Sequence, residues 1–92
     1  MPKFIARSIL DLMTPEREAG RVARGAHFIV AVEVDDGSWV ELDADDKPHA
    51  AVIADNWVAK LNARGASCWA VFPGCGGLAD QPFYTRYATF KD

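Results

Sequence analysis

The sequence predicts an α+β fold, in which a four- to five-stranded, largely antiparallel sheet has one or two helices packed on one face. Three observations predict it: strand-like alternation recurs in short segments, an Asp-Gly pair marks a hairpin, and one longer segment has helical apolar spacing. The predicted order is β-(α)-β-β-α-β-β. Since 92 residues suit a single core, we expect one domain spanning residues 1–92.

The first two elements are a short strand and a weak helix. Residues 3–9 alternate loosely between two faces and contain β-forming side chains, which predicts a strand. Thr14 followed by Pro15 is typical of a helix N-terminus, and Gly25 of a helix end. Gly20 and the small apolar residues around it indicate that this helix is short and weakly held.

The clearest predicted strand covers residues 27–35, and a second strand follows it through a hairpin. A two-residue loop would place carboxylates of the second strand on the valine face of the first. A three-residue loop, 35–37, with Gly37 in the left-handed conformation, instead pairs Val32 with Val40. We favour this register because it makes one face wholly apolar.

The remaining elements are a helix and two strands. Acidic residues before Pro48, followed by apolar residues at helical spacing, predict a helix that runs to about Arg64 and is capped by Gly65. The nearly continuous apolar run at residues 67–72 predicts a central strand. The alternation of residues 83–90 predicts a final strand at the sheet edge.

Acidic residues are concentrated in the middle of the chain. The net charge is −3, but residues 27–56 contain eight carboxylates against Lys47 alone, a balance of −7. Nucleic-acid binding needs the opposite sign, so no direct contact with DNA or RNA is expected. The chain has no apolar stretch long enough to span a membrane and only two cysteines, which predicts a soluble cytoplasmic protein without membrane contact.

The favoured hairpin register places acids and a tryptophan together on the face opposite the valines. Burial of unpaired carboxylates is costly, so we expect this face to meet solvent, a basic partner or the cationic termini. The predicted partner-binding residues are Glu33, Asp35, Asp36, Trp39, Glu41, Asp43, Asp45 and Asp46. They predict a non-enzymatic interaction protein that binds a basic protein surface. The alternative explanation of the same acids is a solvated face, a charged hairpin tip and a helix cap.

In size and acidity the chain resembles phage-borne inhibitors of bacterial defence, anti-CRISPR proteins among them. The resemblance is one of size and charge and includes no motif. It implies that the acidic strip imitates the phosphates of a nucleic acid and blocks the groove of a nucleic-acid-binding protein.

Cys75, in a glycine-rich loop, is the main candidate for covalent chemistry. A thiolate nucleophile needs a base, and the sequence places neither His27 nor His49 beside it. A turn with an incidental thiol is the favoured explanation, and a small thiol or redox protein, with Cys68 and Cys75 bridged or one of them bridging a dimer, is the alternative. No paired metal-ligand spacing or catalytic motif occurs, so we predict no enzyme, metal or cofactor.

Two further features complete the sequence-based hypotheses. Arg17, Arg21 and Arg24 recur three or four residues apart and are expected to pair with acids of the same protein. The aromatic strand faces and the 83–90 edge support a second functional alternative, a subunit of a homodimer or larger assembly.

Overall fold

The structure, a computed structural model, describes residues 4–6 and 9–88. Within these residues, five strands form one antiparallel sheet in the order β1-β3-β2-β4-β5. The strands are β1 (Phe4–Ala6), β2 (Phe28–Glu33), β3 (Trp39–Ala44), β4 (Gly65–Ala70) and β5 (Tyr84–Tyr87), and the helices are α1 (Pro15–Arg24) and α2 (Lys47–Lys60), with a 3₁₀ helix (Ile9–Met13) before α1. The predicted α+β class and element order are confirmed.

The β2–β3 hairpin has the predicted three-residue loop. Gly37 has a φ of 91°, and the Val34 N–H donates to the Ser38 carbonyl oxygen at 2.9 Å, which closes the loop. Val32 lies opposite Val40, as the apolar pattern predicted. One sheet face therefore presents an apolar surface, and α2 packs on that face, where Ala50, Ala54 and Val58 of the helix join the core.

Helix α2 begins where the sequence predicted and ends earlier. Asp46 accepts a hydrogen bond from the His49 N–H at 2.8 Å and so caps the helix. The helix ends at Lys60 instead of near Arg64, because Asn62 has a φ of 57° and turns the chain back, so that the Ala63 N–H donates to the Trp57 carbonyl oxygen. The prediction of Gly65 as a C-cap is therefore wrong.

Gly65 instead begins β4, and the Tyr87 ring of β5 lies over it so closely that a Cβ on this glycine would contact the ring at 2.9 Å. β4 lies inside the sheet and β5 at its edge, as predicted, although β4 begins and ends two residues before the predicted range 67–72 and β5 is shorter than the predicted range 83–90. Residues 3, 7, 8, 89 and 90 of the predicted first and last strands lie outside the described residues. The Tyr84 hydroxyl donates to Asp55 of α2 at 2.7 Å, which raises the pKa of Tyr84 and joins the edge strand to the helix.

Helix α1 also has the predicted ends. Thr14 accepts from the Arg17 N–H, and Gly25 has a φ of 69° while the Ala26 N–H donates to the Arg21 carbonyl oxygen. The helix lies on the sheet face opposite α2, since its arginines contact side chains that point away from the α2 core. One helix thus lies on each face of the sheet, which corrects the expectation that the helices share one face.

Among the described residues, no helix is long and apolar enough to cross a membrane.

Candidate partner-binding site

The structure confirms that four of the predicted site residues share one sheet face. Glu33 lies opposite Trp39, Ala31 opposite Glu41, and Ile29 opposite Asp43 in the β2–β3 ladder. Since side chains alternate between faces along a strand, the second face contains Glu33, Trp39, Glu41 and Asp43. The question is which of them reach solvent.

Glu41 does not reach solvent. It is 3% exposed, and the guanidinium of Arg21, which is 0% exposed, donates to both its carboxylate oxygens at 2.6 and 3.2 Å. The expectation that Glu41 belongs to an exposed anionic surface is therefore wrong. The physical reason is that an arginine of α1 satisfies the carboxylate directly, which removes the penalty that argued against its burial.

The other two arginines of α1 complete a charge network over the same strand. Arg24 donates to both oxygens of Asp43 at 2.8 and 2.9 Å and to Glu41 at 2.9 Å, and Arg17 lies 3.4 Å from Glu41. The hydrogen bond with Asp43 raises the pKa of Arg24. Asp43 is therefore neutralised within the chain, and the predicted pairing of these arginines with acids of the same protein is observed.

Arg21 also holds two backbone segments in place. It donates to the carbonyl oxygen of Leu12 in the 3₁₀ helix and to that of Gly76 in the loop after β4, at 2.5 and 3.1 Å. Gly76 lies directly against the backbone of Glu18, where a Cβ would collide with the Glu18 carbonyl group. The Arg21–Glu41 pair thus joins α1, β3, the 3₁₀ helix and this loop, which is a structural role.

The remaining acids lie at opposite ends of the hairpin. Asp35 and Asp36 are exposed in the loop before β3, whereas Asp45 and Asp46 follow its last residue. Six strand residues at 3.3 Å each separate the two pairs by about 20 Å. The predicted continuous acidic strip is therefore wrong, because its middle is neutralised and its ends are far apart.

Two of these end acids have local structural roles. Asp36 accepts from the N–H and the hydroxyl of Ser38 at 2.8 and 2.6 Å, and the side-chain bond is the main reason that its pKa is lowered. Asp46 caps α2. For both residues the structure favours the alternative explanation, a hairpin tip and a helix cap.

An open row of four residues remains on the second face, at the hairpin end of the sheet. Trp39, Glu33, Gly65 and Tyr87 lie directly opposite one another on β3, β2, β4 and β5, and we call this set the Trp39–Tyr87 row. It crosses three interstrand spacings, or about 14 Å. Tyr87 is 74% exposed. Glu33 is half-buried and has no ion-pair partner in the described part of the chain.

Trp39 is less exposed than a free hot-spot residue would be. It is half-buried and packs against the small cluster that Leu12 and Ala31 form under the 3₁₀ helix.

Tyr87 was missed by the sequence interpretation. Its place on the alternating 83–90 segment was visible, but the register that puts it beside Glu33 depends on the pairing of β4 with β5.

The two cysteines have different environments and are both free thiols. Cys68 is buried below α2 and contacts the Ala50 carbonyl oxygen at 3.3 Å, and burial raises the pKa of its thiol to about 11. Cys75 is exposed and contacts the Phe72 carbonyl oxygen at 3.7 Å. Neither histidine is hydrogen-bonded to Cys75 in the part of the chain that the structure describes.

His49 is an accessory to the helix cap, where its Nδ1 accepts from the Asp45 N–H. Across residues 4–6 and 9–88, no group of three or more His, Cys, Asp or Glu side chains could hold a metal ion.

The chain matches no protein-family model. It also matches none of the curated proteins and none of the solved structures with which it was compared.

Proposed function

We propose that this protein is a non-enzymatic binding domain that recognises a basic surface of another protein through the Trp39–Tyr87 row and the adjoining hairpin tip. The observation that carries the proposal is the position of Glu33 between two aromatic side chains, with Asp35 and Asp36 in the loop beside them. A basic side chain gains from both kinds of neighbour, because carboxylates attract it and aromatic faces bind cations.

The composition of the row also matches what stabilises protein interfaces. Tyrosine and tryptophan are enriched among residues whose truncation costs most binding energy. The hairpin tip adds exposed carboxylates that steer a basic partner towards the row. Imitation of nucleic-acid phosphates is not part of the proposal, because the acids do not form a continuous strip.

Capture of a basic protein from a cell lysate tests the proposal. The immobilised domain should bind its partner at 50 mM salt and release most of it at 500 mM, because salt screens exposed charges, with a Debye length of about 10 Å at 0.1 M. Asp35→Lys and Tyr87→Ala should each weaken binding about tenfold or more, which corresponds to about 1.4 kcal/mol.

Asp45→Lys is the matched control, since it makes the same charge change at an exposed acid on the other end of β3. It should change binding less than about threefold. Equal losses from Asp35→Lys and Asp45→Lys would show that binding follows net charge alone, and the row would then have no special role.

A second candidate function, assembly with a second copy, has one specific observation in its favour. The Ala88 N–H donates to the Arg64 carbonyl oxygen, so in an antiparallel ladder the N–H groups of Thr85 and Tyr87 point away from β4. Within the described residues, β5 thus presents unpaired backbone groups at a sheet edge, which can add a strand from another chain.

Light scattering with size exclusion, at several concentrations, tests this candidate. A concentration-dependent dimer should be lost in Thr85→Pro, which removes an outward N–H and keeps the ladder to β4. A monomer at all concentrations would rule the candidate out.

A further inference from the structure

A cleft opens beside α1 on the same sheet face as the Trp39–Tyr87 row. It lies between α1 with the 3₁₀ helix and the loop after β4, and its volume is about 380 Å³. Met13, Trp69 and Leu78 form apolar walls, and Glu18 and Asp80 contribute carboxylates. Its volume falls in the range of sites that hold small groups, about 300–1,000 Å³.

Within the described structure, the charges in the cleft that have no ion-pair partner are negative. Arg21 also borders it, but its guanidinium is committed to Glu41 and to two backbone carbonyl groups. Neither Glu18 nor Asp80 has an ion-pair partner among residues 4–6 and 9–88. A cation with an apolar stem is therefore the complementary ligand.

We propose that this cleft receives a lysine or arginine side chain of the partner protein, an inference that rests on the proposed function. The charged head lies between Glu18 and Asp80, and the alkyl stem packs on Met13, Leu78 and the Trp69 ring. An ammonium or guanidinium group also interacts favourably with an indole face.

The spacing allows one partner segment to use both sites. Trp69 lies opposite Ile29, and Glu33 is four residues farther along β2, or about 13 Å away. An extended segment covers this distance in about four residues. The cleft is thus an anchor site for a basic residue next to the segment that contacts the row.

The chain contains its own reporter for the cleft. A Cβ on Gly77, which lines the cleft, would lie within 4.0 Å of both a Glu18 carboxylate oxygen and the Cys75 sulfur. Cys75 is exposed and Cys68 is buried, so alkylation of the native protein reads out Cys75. A ligand in the cleft should slow that alkylation.

The experiment uses the peptide acetyl-Gly-Lys-Gly-amide, its arginine counterpart and the norleucine peptide as an uncharged control of similar length. Affinity is measured by NMR titration and by protection of Cys75 from iodoacetamide. The basic peptides should bind about tenfold or more tightly than the norleucine peptide. Glu18→Gln and Asp80→Asn should each weaken them about threefold to tenfold.

Glu16→Gln is the matched control, because Glu16 also lies in the first turn of α1 but does not line the cleft. It should leave peptide binding unchanged. Equal binding of the norleucine peptide, or an equal loss in Glu16→Gln, would overturn the proposal.

Partner capture separates failure of this inference from failure of the proposed function. If Asp35→Lys abolishes capture while Glu18→Gln and Asp80→Asn affect neither capture nor peptide binding, the cleft proposal is wrong and the proposed function stands. If the peptides bind in the cleft but Asp35→Lys and Tyr87→Ala leave capture intact, the row is not the binding surface.

Discussion

Replacement of Arg21 by methionine is expected to be among the most destabilising single changes in this domain. Arg21 is completely buried and bonded to Glu41, Leu12 and Gly76. Methionine keeps much of the side-chain length and packing but removes the positive charge and every hydrogen-bond donor of the guanidinium group. The Glu41 carboxylate then remains buried with fewer hydrogen bonds and less opposite charge to offset the cost of its burial.

The structure sets the size of the effect. Removal of one partner from a buried ion pair costs about 3–5 kcal/mol, and each carbonyl group left unpaired adds to the loss. Arg24 and Arg17 remain near Glu41 and offset part of it. We therefore expect about 3 kcal/mol, which lowers the melting temperature of a domain of this size by roughly 12–24 °C.

The assay is urea and thermal unfolding of a double-mutant cycle that combines Arg21→Met with Glu41→Leu. The double variant has no buried charge at this position, so its loss should be smaller than the sum of the single losses by about 2 kcal/mol. Arg24→Met, at a partly exposed pair, is the control and should cost about 1 kcal/mol.

The reasoning would be refuted if Arg21→Met cost no more than Arg24→Met. Additive losses in the double variant would also refute it, because they would mean that the two side chains stabilise the fold independently.

Three further predictions concern the glycine-rich loop and the thiols. In urea unfolding, Gly76→Ala should destabilise the domain by at least about 2 kcal/mol more than Gly74→Ala. Both glycines have a positive φ, but only at Gly76 would a Cβ collide with backbone atoms. Equal losses of stability would contradict a close contact between this loop and α1. Iodoacetamide at pH 8 should modify Cys75 rapidly and Cys68 at least about 100-fold more slowly, because Cys68 is buried and its pKa is raised to about 11. Mass spectrometry of peptides measures both rates. Fast modification of both cysteines would mean that α2 does not cover Cys68. Burial raises the pKa of the Cys68 thiol from its ordinary value of 9.0 to about 11 in the folded state, so the contribution of this thiol to stability is complete below pH 9 and is lost as pH rises towards 11. The free energy of unfolding should therefore fall less across this range in Cys68→Ala than in the unsubstituted protein. An identical fall in both would show that this thiol does not contribute.

Local sequence signals predicted the elements of the fold well. The hairpin register followed from the positions of valine and from Gly37, which act within a dozen residues of each other. The ends of α1 followed from Thr14 and Gly25 in the same way. Such signals are readable because the residues that decide the conformation are neighbours in the chain.

The candidate site was harder to predict because its deciding contacts are distant in sequence. Arg21 and Glu41 are twenty residues apart, and both belong to residue types that are rarely buried unless paired. The pattern of α1 also misleads: its arginines face the sheet, while Val22 is 48% exposed. Helical spacing identified the arginine face, but the sequence did not show that this face is the inner one.

The two helices are attached to the sheet by different forces, which has a consequence for how the molecule opens. α2 is held by a continuous apolar core, whereas α1 is held mainly by guanidinium–carboxylate contacts above a cluster of two buried residues, Leu12 and Ala31. Amide protons of α1 should therefore exchange with solvent through a partial opening that leaves α2 and the sheet intact. Release of α1 would expose Glu41 and Asp43 to solvent and make the second face acidic. The partly unfolded state would therefore carry more negative charge on that face than the native state.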